Sequence, residues 1–281
     1  MDACFKRLRS LISGTSWLAV VSASALLYNV ARADELRSWD LTLGAGVSFM
    51  PEYSGASATR ARLRVWVDAE YRTADLGTIA IDSGSLTIDP ELRWNLVDRP
   101  AVGFGPLLGY RFGRNDKNPG FFSGNDGSTR LEGLPNVASA FDAGVQGHVL
   151  VLGVPIFGQV RSALSGAQGT LVNLGVYLPL WPEEVFSLTV LPTVTWADAR
   201  QMQALYGVSQ QASSTSAFAP YSPGAAWEDA ALELAGEWRF SKPAHLVGSV
   251  AYQRLLGEAA GSPLVQSRNQ WSVLGGITWS F

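Results

Sequence analysis

Few side chains in this sequence have types and spacing that suit catalysis or metal binding. It holds 2 histidines, His148 and His245, and 1 cysteine, Cys4, among 281 residues. A protein-held metal takes three or four Cys, His or carboxylate ligands, and the two histidines stand far apart with no paired-His spacing. No metal and no cofactor is therefore expected. His148 lies on the same parity as Asp142 and Gln146, a pattern that admits a general base or a pH-responsive group on one polar face. A hydrogen-bonded structural histidine explains the same residues with fewer requirements. His245 closes a Ser-Lys-Pro-Ala-His turn, where solvation is the expectation.

The remaining polar chemistry is a set of charges on alternate positions. Arg60, Arg62, Arg64 and Arg72 share one parity with Asp68 and Glu70, and Arg93, Arg111, Asp142, Glu233, Glu237 and Arg239 continue the theme. Such a stripe suits either an anion-selecting lining or mutual neutralisation across a narrow interior. The two signs are close to balance, which favours neutralisation. Gly103-Phe104-Gly105 leads into alternation and not into a helix, so it is no phosphate cradle. Nothing supplies a nucleophile beside a base, a ligated metal or a carboxylate pair in a dry cleft, and no enzyme is expected.

The elements that carry these charges repeat every two residues. Ala61, Leu63, Val65, Val67, Ala69 and Tyr71 oppose the arginine stripe, and Trp39, Leu41, Leu43, Ala45, Val47 and Phe49 oppose Asp40, Thr42, Gly44, Gly46 and Ser48. A helix would mix these sets, because its period is 3.6. The pattern returns around Val102 to Phe112, Val137 to Val151, Val172 to Leu180, Phe186 to Trp196, Leu232 to Phe240 and Trp271 to Phe281. Weaker copies occupy 78–82, 86–96, 154–162 and 246–255.

Composition selects among sheet proteins. Charged residues make up 16% of the chain, against about 25% in ordinary soluble domains, yet mean hydropathy is only +0.10. Alternation between a lipid face and a polar interior produces that combination. With 21 basic and 24 acidic residues there is no footprint for nucleic acid. Lys6, Arg7 and Arg9, an apolar stretch over 11–30 and Ala31-Arg32-Ala33 read as a secretory signal peptide, 1–33, leaving 34–281 as the mature domain. Segments of about ten residues suit tilted membrane strands, aromatic residues fall at their ends, and short connections alternate with long ones at 114–136, 198–225 and 257–269. The expected fold is an all-β transmembrane antiparallel up-and-down β-barrel of about 12 strands, or about 10 at the least, with both termini periplasmic. Its lumen would be lined by Arg60, Arg62, Arg64, Asp68, Glu70, Arg72, Arg93, Arg111, Asp142, His148, Glu233, Glu237 and Arg239.

Several motifs occur in a fixed order: Pro51-Glu52-Tyr53-Ser54-Gly55, then Leu108-Gly109-Tyr110-Arg111-Phe112-Gly113-Arg114-Asn115-Asp116, then Leu131-Glu132-Gly133-Leu134-Pro135-Asn136-Val137. Trp196-Ala197-Asp198, Tyr206-Gly207-Val208-Ser209 and Arg254-Leu255-Leu256-Gly257-Glu258-Ala259-Ala260-Gly261-Ser262-Pro263-Leu264-Val265 follow. In this order they resemble the MipA/OmpV family of Gram-negative outer-membrane proteins, the MltA-interacting scaffolding-protein family, over nearly all of the mature region. The resemblance implies a structural role in the cell outer membrane, with a lytic transglycosylase and a penicillin-binding murein synthase as partners. A small-solute channel, or an adhesin or receptor acting through the long loops, is the alternative. The alternating end Trp271, Val273, Ile277, Trp279 and Phe281 resembles the terminal signal read by the barrel assembly machinery, with outer-membrane lipid as the surrounding partner.

Overall fold

A computed structural model describes residues 39–73 and 76–281, so the expected leader at 1–33 lies outside the described residues. Each alternating stretch forms a strand with one face outward and one inward. In chain order these are β1 (Trp39–Pro51), β2 (Thr59–Thr73), β3 (Gly77–Asp82), β4 (Glu91–Asn95), β5 (Val97–Arg99) and β6 (Val102–Arg111). Two short pieces, β7 (Arg114–Asn115) and β8 (Asp126–Gly127), pair with each other outside the main sheet. The wall continues with β9 (Ala140–Val151), β10 (Val154–Ala163), β11 (Thr170–Val176), β12 (Leu178–Pro182) and β13 (Phe186–Ala197). It ends with β14 (Ala226–Trp238), β15 (Ala244–Leu255) and β16 (Asn269–Ser280).

The ladders are antiparallel between neighbours, and β1 returns to β16 in the register Thr42↔Ser280 through Phe49↔Val273, which closes the sheet on itself. β4 and β5 are successive pieces of one stave against β6, and β11 and β12 are pieces of another against β13. Fourteen strand segments thus build a closed barrel of 12 strands. Closure removes the exposed edges that a bilayer does not tolerate. The break between β4 and β5 is a bulge that pushes the Trp94 carbonyl toward β6. Gly105 permits this approach, since a Cβ there would lie 1.7 Å from the Trp94 oxygen. The β11/β12 break falls at Tyr177, whose ring turns inward onto Phe157 at 4.9 Å.

Leu63, Val65, Val67, Leu174, Leu232 and Leu234 are exposed on the outer face, as a lipid-facing belt requires. Aromatic pairs mark both rims: Trp39 with Tyr71 and Trp238 with Phe240 at the end holding the described termini, Tyr110 with Phe141 and Tyr252 with Trp271 at the other. The long connections all lie at this second end.

Two expected segments differ. The stretch 86–96 does not run as one strand, because residues 83–90 leave the wall after β3 and rejoin it only at Glu91. Gly84, at φ +74°, makes the inward turn, and Leu86 and Ile88, half-buried, pack their side chains against apolar clusters inside the barrel. Val137 does not face outward with Phe141; it is buried and bridges to Arg114 through both backbone groups, so β9 starts only at Ala140.

Candidate functional site

The inward segment 83–90 defines the interior. Its roots are β3 and β4, and it crosses the lumen to β14, five staves away in one direction around the ring. Glu233, on the inner face of β14, accepts from Ser85 Oγ at 2.8 Å, Thr87 Oγ1 at 2.9 Å and the Leu86 amide at 3.4 Å. At 1% exposure this carboxylate is sealed from water by the strap it holds. Arg64 binds the near end by donating to the Ser83 and Gly84 carbonyls at 2.6 Å, and Asp68 accepts from the Ser83 amide at 2.7 Å. Apolar contacts supplement the polar ones: Leu86 packs on Trp66, Val247 and Leu274, and Ile88 on Phe157, Tyr177 and Leu191. Trp66 in turn packs closely on β16, where a Cβ on Gly276 would stand 2.6 Å from its ring.

Around the strap the lumen charges pair off. Arg93 bridges Asp82 at 3.0 Å and Glu91 at 3.4 Å. Arg111 grips Asp142 through two bonds of 2.7 Å and also reaches Gln201 and the Gly169 carbonyl. Arg161 joins Asp89 at 2.7 Å, tying the end of the strap to β10. Bidentate arginine–carboxylate geometry of this kind is strong and specific, and its value here is mainly to satisfy charges that burial would otherwise penalise.

Each expected lining residue has a definite place. Arg60 and Arg62 hold loop carbonyls at the long-loop end, and Arg62 also pairs with Asp126 at 2.8 Å. Arg64 and Asp68 hold the strap. Glu70 and Arg72 pair with each other at 2.7 Å, with Asp40 as a second partner of Arg72, near the terminal rim. Glu237 and Arg239 pair at 2.7 Å on β14 and just beyond it. His148 is buried beside Gly103, apart from Asp142. His245 is not the solvated turn residue expected; it is 2% exposed, with Nδ1 2.7 Å from Glu237 Oε1 and Nε2 3.3 Å from the Lys242 carbonyl. β15 begins at Ala244 and carries it inward against β14. Sequence parity alone would have found Asp82, Gln159 and Arg161, which share the inner face with their neighbours, but nothing in the pattern announced Ser85 and Thr87 as ligands of Glu233.

The long connections fold over the second mouth as a lid. Tyr53, Leu131, Leu134, Val208, Ala212, Phe218 and Leu264, drawn from four different connections, share one apolar cluster. A second cluster joins Met202 and Tyr206 to Leu255 and Ala259. The lid helices Ala199–Tyr206 and Gln210–Thr215 start on Asp198 and Ser209, whose side chains accept from the Gln201 and Ala212 amides. Tyr206 Oη sits 2.8 Å from Glu228 and 2.7 Å from Ser54, and burial, followed by the Glu228 charge, pushes its phenol well above the usual 10.0. Among the described residues no group of His, Cys, Asp and Glu is arranged to hold a metal ion.

An apolar-belted, closed barrel whose interior is filled by paired charges is an outer-membrane β-barrel of a Gram-negative bacterium. The chain belongs to the MltA-interacting protein MipA family, whose profile matches residues 43–281. It is similar to the proteins named MltA-interacting protein of Escherichia coli (strain K12) and of Shigella flexneri, in each case 30% identical over 129 residues, 44% of this chain and 52% of the relative. The match thus spans about half the length of these curated relatives. Among solved structures, the NanC porin covers 85% of this chain and 98% of its own, with a TM-score of 0.43 at 10% identity. The translocator domain of autotransporter NalP from Neisseria meningitidis covers 100% and 95%, with a TM-score of 0.42 at 10% identity. Likeness at that level says nothing of function.

Proposed function

We propose that this barrel is a non-enzymatic structural protein of the outer membrane that holds a lytic transglycosylase, and with it a penicillin-binding murein synthase, at the periplasmic face. The observation that supports this reading is the strap from Ser85 to Glu233, which crosses the lumen beneath a packed lid and braces the barrel from within. The name of the similar Escherichia coli protein supplies the first partner. In this reading the described termini and the short turns face the periplasm, after removal of a leader at 1–33. Leu152 then stands at a turn tip, 100% exposed in a left-handed conformation with φ 52°, as one point of contact for the partner.

The test is a photo-crosslinking amino acid at position 152 in intact cells, followed by identification of the adduct. Capture of a lytic transglycosylase is the expected result. Adducts confined to lipid, or none, would refute the docking face. Steady ion conductance by the purified wild-type protein in planar bilayers would favour the small-solute channel instead.

A further inference from the structure

Toward its long-loop end the wall turns Arg60, Arg62, Arg64, Arg111 and Arg161 to groups inside the barrel or to the connections that close it. Arg254, on β15, breaks that rule. It shares the outward parity of Val250 and Tyr252, and it is exposed. Its cross-strand partner on β16 is Asn269, while the next residue, Leu255, donates its amide to the carbonyl of Arg268 at 2.8 Å. Arg268 is exposed as well. Two guanidinium groups thus leave neighbouring strands one residue apart, where like charges repel and a carboxylate between them would be the ordinary remedy. Arg254 Nη1 donates instead to Asn269 Oδ1 at 3.4 Å and Arg268 Nε to the Ala260 carbonyl at 3.2 Å, and among the described residues neither forms an ion pair.

Asn269 adds to the imbalance. Its Oδ1 also accepts from Tyr252 Oη at 2.8 Å, so the carboxamide oxygen faces the protein and its N–H groups remain as donors at the surface. Three donor groups, two of them cationic, stand together without a carboxylate, which is the composition of an anion site. Depth decides which anion. One outward position toward the bilayer from Arg254 and Asn269 stand their paired neighbours Tyr252 and Trp271, the aromatic couple of this rim, with rings 5.0 Å apart. Val250 and Val273, again paired and both exposed, follow directly beneath. From the rim downward the outer face of this one strand pair reads guanidinium, aromatic ring, branched aliphatic. A molecule that complements all three carries a negative headgroup above hydrocarbon, with the charge at headgroup depth and the chains in the apolar belt.

We infer that β15 and β16 bind a phosphate of lipid A, the phosphorylated saccharide lipid of the outer leaflet, between Arg254 and Arg268, with its acyl chains lying on Trp271, Val250 and Val273. Phosphate accepts the forked donors of guanidinium groups and neutralises both at once. Asn269 donates to the same oxygens while its own oxygen holds Arg254 and Tyr252 in place. The inference rests on the outward orientation of the long loops in the reading above, because that orientation puts this rim in the outer leaflet.

Native mass spectrometry of the full-length protein in detergent with added lipid A tests the site directly. Wild type is expected to retain the lipid, and Arg254→Gln and Arg268→Gln each to bind it about tenfold more weakly, as loss of a charge-assisted bond predicts. Arg99→Gln, at an exposed position of the β5–β6 turn on the opposite rim, should bind like wild type. Lipid A stripped of its phosphates should not be retained by the wild type. Equal retention of the stripped lipid would overturn the inference even if the variants failed to fold. In intact cells a photo-crosslinker at position 254 is expected to label lipopolysaccharide. Labelling of a phospholipid alone would put this rim in the inner leaflet and defeat the inference together with the orientation it rests on. Labelling of a protein, or no adduct, would defeat the inference alone, and the adduct from position 152 then reports on the orientation.

Discussion

Ser85 Oγ donates to Glu233 Oε2 across 2.8 Å, joining a segment rooted in β3 and β4 to the far wall on β14, 148 residues later in the chain. Both residues are buried, and together with Thr87 and the Leu86 amide they give one carboxylate three donors. Hydrogen bonds to a charged acceptor contribute about 1.5–3 kcal/mol each, so this contact is strong enough to keep the strap across the lumen.

Glu233→Ala removes the acceptor and leaves all three donors without it. The expected outcome is a folded barrel whose strap swings, seen as discrete conductance openings in planar bilayers where the wild type is quiet. Glu233→Gln keeps one acceptor oxygen and should fall between them. A Glu233→Ala protein as silent as the wild type would show that the lid, and not the strap, closes the lumen.

The neighbouring glycines Gly275 and Gly276 provide an internal comparison. A Cβ at Gly276 would meet the Trp66 ring at 2.6 Å, whereas at Gly275 it meets nothing within 4 Å. Gly276→Ala should therefore displace Trp66 from under Leu86 and cost about 1–3 kcal/mol, as overpacking does. Gly275→Ala should be close to neutral. Urea unfolding followed by tryptophan fluorescence measures both, and equal midpoints would refute the packing of strap on Trp66.

The wall was legible in the sequence and the strap was not, for a physical reason. Alternation reports which face of a strand meets lipid, so Leu63, Val65 and Val67 against Arg62, Arg64 and Trp66 specify the orientation of β2. Leu86 and Ile88 obey the same alternation, but they pack half-buried against Trp66 and Tyr177 inside the barrel. Period two cannot distinguish apolar residues facing lipid from apolar residues plugging a lumen. His245 eludes the pattern for a related reason: a turn-like Ser-Lys-Pro precedes it, and only the pairing of β15 with β14 brings Glu237 to its ring.

The lid should loosen in alkali. Burial and the Glu228 charge raise the Tyr206 phenol well above 10.0, so the folded lid holds that proton more tightly than the open chain does. The stabilisation is complete below pH 10.0 and is lost as pH rises toward the folded value. Subtilisin cleavage within 199–215 is expected to accelerate above about pH 10 in the wild type and to do so less steeply in Tyr206→Phe, which has no proton to lose. Identical pH profiles would remove Tyr206 as the cause.

Phe281 closes β16 at the rim that also carries Trp39. Its amide donates to the Leu41 carbonyl at 2.9 Å, and its ring is exposed beyond Trp279 on the same outward face as Trp271, Val273 and Ile277. The backbone bond is one of many along β1 and β16, so losing the residue should cost the finished barrel little. The exposed aromatic ring, by contrast, is available to a receptor before the barrel closes, when β16 has not yet paired with β1. Deleting Phe281 should therefore lower the amount inserted in the outer membrane severalfold while export across the inner membrane continues, leaving unassembled chain in the periplasm. The protein that does insert should unfold at nearly the wild-type urea concentration. Wild-type levels in the outer membrane would show that the terminal strand is not read as a signal, and a large drop in urea resistance would assign Phe281 to closure of the barrel instead.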